Sequence, residues 1–228
     1  MILVPAAVPR TAPAFQRLID PGRQPSVRAA LTVETLPPGV RVEQLSRESV
    51  ESVTVVLAGR LSAAGRILAP GEVLHHPPGS SHRLTAVRGA PTAVLTVRAV
   101  LPAADIPAQR AGSGSVGFTR SAGRIVVDTV VLTPGQDHGP YAETAADAFL
   151  VLLSGTGVRL DLAGGGEVPL FPGDLVYLRA GERYGLRAGA GGAPTLVRGR
   201  VGAVLGPEQD LEPMQSGQVG PHSGGQSD

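Results

Sequence analysis

The residues best suited to chemistry in this chain fall in two places. His138, Tyr141 and Glu143 lie within the short segment Gln136-Asp137-His138-Gly139-Pro140-Tyr141-Ala142-Glu143-Thr144, and His75, His76 and His82 lie together earlier on. An imidazole, a phenol and a carboxylate gathered in an apolar cup bind a polar small molecule, or act as acid and base where burial shifts their pKa values. The earlier histidines are the donors that mid-to-late first-row metal ions prefer. Adjacent strand residues point to opposite faces, so His75 and His76 cannot both reach one pocket. His222 sits in a polar stretch and is discounted.

Other chemistries are excluded. The chain has no cysteine, which removes disulfides, thiol nucleophiles and zinc-thiolate sites and fits a reducing cytoplasm. No nucleophile elbow or Ser-His-Asp set is present. The run Ala163-Gly164-Gly165-Gly166 is not followed by a helix pattern, so it reads as a hairpin loop and not a phosphate cradle. Arg83, Arg88 and Arg98 are scattered along strand-like runs and read as solvated.

The net charge of +1, from 20 basic and 19 acidic residues, provides no field to collect nucleic acid or anionic lipid. Met1 to Arg10 is apolar but short, is broken by Pro5 and Pro9, and has no basic residues ahead of it, so neither a signal peptide nor a membrane span is expected. A cytoplasmic location follows. Every basic residue is Arg, with no Lys or Asn anywhere, the signature of a GC-rich, bacterial genome.

The elements that must position these residues are strands. Glycine (31) and proline (21) punctuate short Val/Leu-rich runs: Ala30 to Leu36, Val53 to Leu57, Thr92 to Val100, Ile125 to Leu132, Phe149 to Leu153, Val158 to Leu162 and Leu175 to Leu178. No long helix pattern interrupts them, and the spacing predicts an all-β sandwich or barrel. With aromatics at only 3%, the core must come from many small aliphatic side chains.

The runs repeat. Pro38-Gly39 leads through Val55-Val56-Leu57 to Gly59, and Pro134-Gly135 leads through Val151-Leu152-Leu153 to Gly155, with a Gly-to-Gly spacing of 20 in each. Pro70-Gly71 leads to Gly79 and His82, and Pro172-Gly173 leads to Gly181 and Tyr184. Gly89-Ala90-Pro91-Thr92 and Gly192-Ala193-Pro194-Thr195 each open a Val/Leu strand. The expected organisation is a first barrel over 1–106, a linker over 107–117, a second barrel over 118–205 and a disordered tail over 206–228.

Gly71-Glu72-Val73-Leu74-His75-His76-Pro77-Pro78-Gly79-Ser80-Ser81-His82 resembles the second motif of the cupin superfamily, with every fixed position matched. The second half matches less closely, with Arg179 where proline is usual and Tyr184 where histidine is usual. The spacing of the first cupin motif falls on Gly39, Leu45, Arg47, Ser52 and Gly59, and again on Gly135, Tyr141, Glu143, Ala148 and Gly155. The glycines are kept and the ligands are not. The resemblance covers Val27 to Val100 and Ile125 to Val204 and implies a bicupin: all-β, two tandem antiparallel jelly-roll barrels with a pocket in each mouth.

Cupin metals are normally held by three imidazoles and a carboxylate, and of these the first barrel offers only His82. The resemblance therefore implies no complete metal set and no cofactor, with a divalent ion on His82 and one of His75 or His76 as the alternative. In the second barrel it gathers His138, Tyr141, Glu143 and Tyr184 as the expected ligand-binding set. A small-molecule sensor or carrier is one reading. The other is a cupin enzyme, either an isomerase or lyase using proton transfer or a metal-dependent dioxygenase. A structural role with a homodimer as partner is the third.

Overall fold

The computed structural model describes residues 1–5, 14–24, 27–101, 121–122, 124–142 and 146–202. The expected linker and tail, with His222, lie outside the described residues, as does Glu143. No helix among the described residues is long and apolar enough to cross a membrane.

In chain order the strands of the first half are β1 (Ile2–Val4), β2 (Ala14–Ile19), β3 (Ala30–Leu36), β4 (Arg41–Leu45), β5 (Val50–Ala58), β6 (Leu61–Ala63), β7 (Arg66–Leu68), β8 (Val73–His76), β9 (Ser81–Ala86) and β10 (Thr92–Val100). Those of the second half are β11 (Ser121–Ala122), β12 (Ile125–Val131), β13 (Asp137–Ala142), β14 (Asp147–Ser154), β15 (Val158–Leu162), β16 (Gly166–Leu170), β17 (Leu175–Leu178), β18 (Arg183–Arg187) and β19 (Thr195–Val201). All pairings are antiparallel. One barrel is formed by the sheets β2-β3-β10-β5-β8 and β4-β9-β6-β7, the other by β1-β17-β14-β19-β12-β11 and β13-β18-β15-β16.

The repeated glycines are turn residues with positive φ, among them Gly39, Gly59, Gly71, Gly79, Gly135, Gly155, Gly173 and Gly181. Two are also fixed by close packing. A Cβ on Gly59 would lie 2.4 Å from the Pro91 carbonyl, and one on Gly155 would lie 2.6 Å from Pro194 Cα. Each Gly-Ala-Pro-Thr landmark thus presses on the glycine that follows the strand its own strand pairs with, β5 beside β10 and β14 beside β19. The Gly164-Gly165 turn joins β15 to β16, as the hairpin reading required.

Burial shows why the central strands read as unbroken apolar runs. On β5, β10 and β14, alternate residues face opposite ways, and both ways are covered. Val53, Val55, Leu95 and Val97 pack against Phe149, Val151, Tyr177 and Val197 in a core lying between the barrels. Val56, Leu74, Leu84 and Val94 fill the first barrel, while Leu150, Leu160, Val176 and Leu196 fill the second.

Polar contacts also join the barrels. The Asp147 carboxylate accepts hydrogen bonds from Arg28 N–H (2.9 Å), Ala180 N–H (2.8 Å) and the Tyr177 hydroxyl (2.6 Å). The Thr129 hydroxyl donates to the Gly71 carbonyl at 2.7 Å. One expected boundary needs correction: Ile2–Val4 does not join the first barrel but pairs with Leu175–Tyr177 of the second. An edge strand goes where an unpaired ladder awaits it, and that rule ignores order in the sequence.

Candidate functional site

In the first barrel the inward faces can be read from the apolar partners of each strand. Val42 packs inside, so Gln44 does too, and Leu45 turns outward with 69% of its surface exposed. This corrects the motif register. Spacing from Gly39 set Leu45 and Arg47 at the ligand positions, whereas the pleat of β4 turns Gln44 into the barrel interior and continues to buried Ser46. The Arg-Val-Glu-Gln-Leu alternation contained that signal, because one buried valine sets the parity of the whole strand.

Cross-strand register assembles the rest. Gln44 pairs with His82 across β4 and β9, and Ser52 pairs with His76 across β5 and β8. The His76 and His82 rings lie 5.0 Å apart. His75 turns the other way, toward the facing barrel, where its Nε2 approaches Glu51 Oε1 at 3.2 Å without hydrogen-bond alignment. Glu51 also accepts the Arg124 N–H of the second barrel at 2.8 Å. His75 is thus part of the seam between barrels, and His76 is the histidine that meets His82 inside the first barrel.

Thr54 ties this group together. Its hydroxyl donates to Gln44 Oε1 at 3.0 Å and lies 2.9 Å from His76 Nε2. With the hydroxyl hydrogen given to Gln44, His76 Nε2–H donates to Thr54, and the Nδ1 lone pair stays free. Three buried nitrogens of the cluster, Gln44 Nε2, His76 Nδ1 and His82 Nε2, have no hydrogen-bond partner. Burial holds His76 well below the ordinary imidazole range, with the charges of His82, His75 and Arg98 acting the same way. Burial, then His75, lowers His82 as well. Both rings are neutral at neutral pH.

Arg98 is the residue that sequence reading misplaced most. Val94 faces the first barrel's interior while Leu95 and Val97 face the other barrel, so Arg98 points inward, and only 7% of it is exposed. It stands beside Ser52, which has His76 on its other side, so the three form one row across β10, β5 and β8. The solvated reading failed because alternation on a run buried on both faces does not reveal which side is solvent.

A divalent ion fits this barrel poorly. Ser52 occupies the position where a cupin carboxylate would sit, two imidazoles and an amide are the remaining donors, and a guanidinium faces the same row. Among the described residues no three His, Cys, Asp or Glu side chains gather as a metal would require.

In the second barrel the structure brings Tyr141 and Tyr184 together, in register across β13 and β18, with ring centroids 5.3 Å apart. The Arg198 guanidinium lies over the Tyr141 ring at 5.0 Å. Tyr184 is buried in the barrel's apolar core, while His138 accepts the Thr133 N–H at 3.1 Å through Nε2. That nitrogen is therefore engaged with the loop before β13. His138, Asp137, Asp161 and Arg183 border a groove of about 390 Å³ that passes Tyr184.

No protein-family model matches the sequence, and no curated protein does. By structure the chain is similar to a Pseudomonas aeruginosa protein named for induction by glyoxylate, with a TM-score of 0.65, 18% identity, and coverage of 92% of this chain and 91% of that one. It is similar to a variant of Bacillus subtilis oxalate decarboxylase (TM-score 0.58, 12% identity, 86% and 75% coverage). A cupin 2 conserved barrel domain protein from Leptotrichia buccalis is a further neighbour (TM-score 0.54, 12% identity, 82% and 88% coverage). At such identities the likeness establishes the fold, an all-β pair of tandem cupin jelly-roll barrels.

Proposed function

We propose that this chain is a bicupin with degenerate metal motifs whose first barrel binds a small organic molecule, in a sensor or carrier role and without a resident metal. The observation that carries the reading is the set of buried, unpartnered nitrogens on Gln44, His76 and His82. A buried polar atom left unpaired costs about 1–3 kcal/mol, and three of them side by side are best explained by a bound partner. Neutral imidazoles and an amide suit a polar organic group that both donates and accepts. The second barrel is a further locus, since the groove beside His138 passes the Tyr141–Tyr184 pair.

The test has two arms. Elemental analysis of untagged protein is expected to show far less than one metal per chain; near-stoichiometric iron, manganese, nickel or zinc that disappears in His82→Ala would overturn the reading. A thermal-shift screen of small polar metabolites is expected to give hits that vanish in Gln44→Leu and in His82→Leu. Hits that survive both substitutions but vanish in Tyr141→Leu would move the site to the second barrel.

A further inference from the structure

The first barrel contains a buried charge that no hydrogen bond or ion pair among the described residues answers. Arg98 is 7% exposed and points into the barrel, yet among the described residues its guanidinium makes neither a hydrogen bond nor an ion pair. The charged groups acting on it are Arg17 and Arg47, of its own sign, and Glu34, whose carboxyl burial pushes upward from its ordinary value. A guanidinium cannot escape by losing its proton, and an unpaired buried charge costs several kcal/mol. A built cupin interior with that arrangement calls for an anion.

Resting on the first-barrel reading above, we infer that the bound molecule is an organic anion whose carboxylate pairs with Arg98 while its polar body meets His76, His82 and Gln44. The planar fork of a guanidinium matches a carboxylate with two parallel hydrogen bonds. Arg98 and His76 are two strands apart in one row, roughly 10 Å between backbones at the usual strand spacing, which a molecule of a few carbons spans between side-chain tips. Ser52, between them, contributes a small hydroxyl where a carboxylate would have repelled such a ligand. The second barrel keeps an arginine in the matching place, Arg200 opposite Ala148, but there the side chain is exposed.

The test uses the full-length protein with acetate, malonate and benzoate as probes against acetamide, malonamide and benzamide, read by melting temperature and calorimetry. At least one acid is expected to bind saturably where its amide does not, and Arg98→Met is expected to weaken it roughly 10- to 100-fold, the loss of a charge-assisted hydrogen-bonded pair. Without probe, Arg98→Met is expected to melt no lower than wild type, because an unanswered charge has been removed. Amides binding as well as acids, unaffected by Arg98→Met but lost in Gln44→Leu, would overturn the anion and leave the first-barrel pocket standing. No acid bound, or an unliganded Arg98→Met that melts far below wild type, would likewise overturn the anion. Loss of every response, together with intact metabolite hits in Gln44→Leu, would sink both.

Discussion

Replacing Thr54 by valine removes one buried oxygen while keeping the side chain's shape. Thr54 and His76 are fully buried and Gln44 nearly so, and the hydroxyl is the partner of both Gln44 Oε1 (3.0 Å) and His76 Nε2 (2.9 Å). Valine leaves both unpaired, at about 1–3 kcal/mol each, and recovers about 1 kcal/mol from the hydroxyl no longer desolvated. The net expectation is a loss of about 1–5 kcal/mol, or about 2–20 °C in melting temperature for a chain of this length. Thr54→Ser keeps the oxygen and loses a methyl, for about 1 kcal/mol. Urea unfolding followed by circular dichroism, with thermal melts alongside, measures both. If Thr54→Val falls within about 0.5 kcal/mol of wild type, or costs less than Thr54→Ser, the hydroxyl is not the link described, and the unpartnered cluster loses its organising residue.

Three further outcomes follow from the same geometry. His76 and His82 are held below the ordinary imidazole value of 6.5, so their contribution to stability is fully present above that pH and is lost as pH falls from it toward the folded-state values, where the unfolded chain binds more protons. Unfolding free energy measured between about pH 8 and pH 5 should therefore decline on the acid side, with a shallower slope in His76→Phe. Asp147→Ala strands the donors of Arg28, Ala180 and Tyr177 and is expected to cost about 3–5 kcal/mol, against about 1 kcal/mol for Tyr177→Phe, both read by urea unfolding. A Cβ on Gly199 would lie 2.0 Å from Phe149 Cζ in the core between barrels, so Gly199→Ala should cost about 1–3 kcal/mol, relieved by adding Phe149→Leu.

Much of the fold was legible because turns and strands are local events. Runs such as Ala30 to Leu36, Thr92 to Val100 and Leu175 to Leu178 are strands with those bounds. The duplicated Pro-Gly landmarks sit at positive φ, which a sequence reveals through glycine. The candidate site was less legible. Gly-to-ligand spacing counted one residue too far along β4, naming Leu45 and Arg47 in place of Gln44, since spacing carried from a motif does not fix which parity faces inward. The set of His138, Tyr141, Glu143 and Tyr184 was half assembled: the tyrosines meet, His138 bonds a loop amide, and Glu143 lies outside the described residues.

The sequence by itself determined the doubled barrel and its turns, because each depends on residue type and short-range order. Tertiary structure alone decided that His75 joins the seam while His76 meets His82, that β1 completes the far barrel, and that Arg98 is buried with no ion pair among the described residues. Alternation gives every strand two faces. When both faces are apolar and both are covered, only the packing of one sheet on another says which is the pocket and which is the seam.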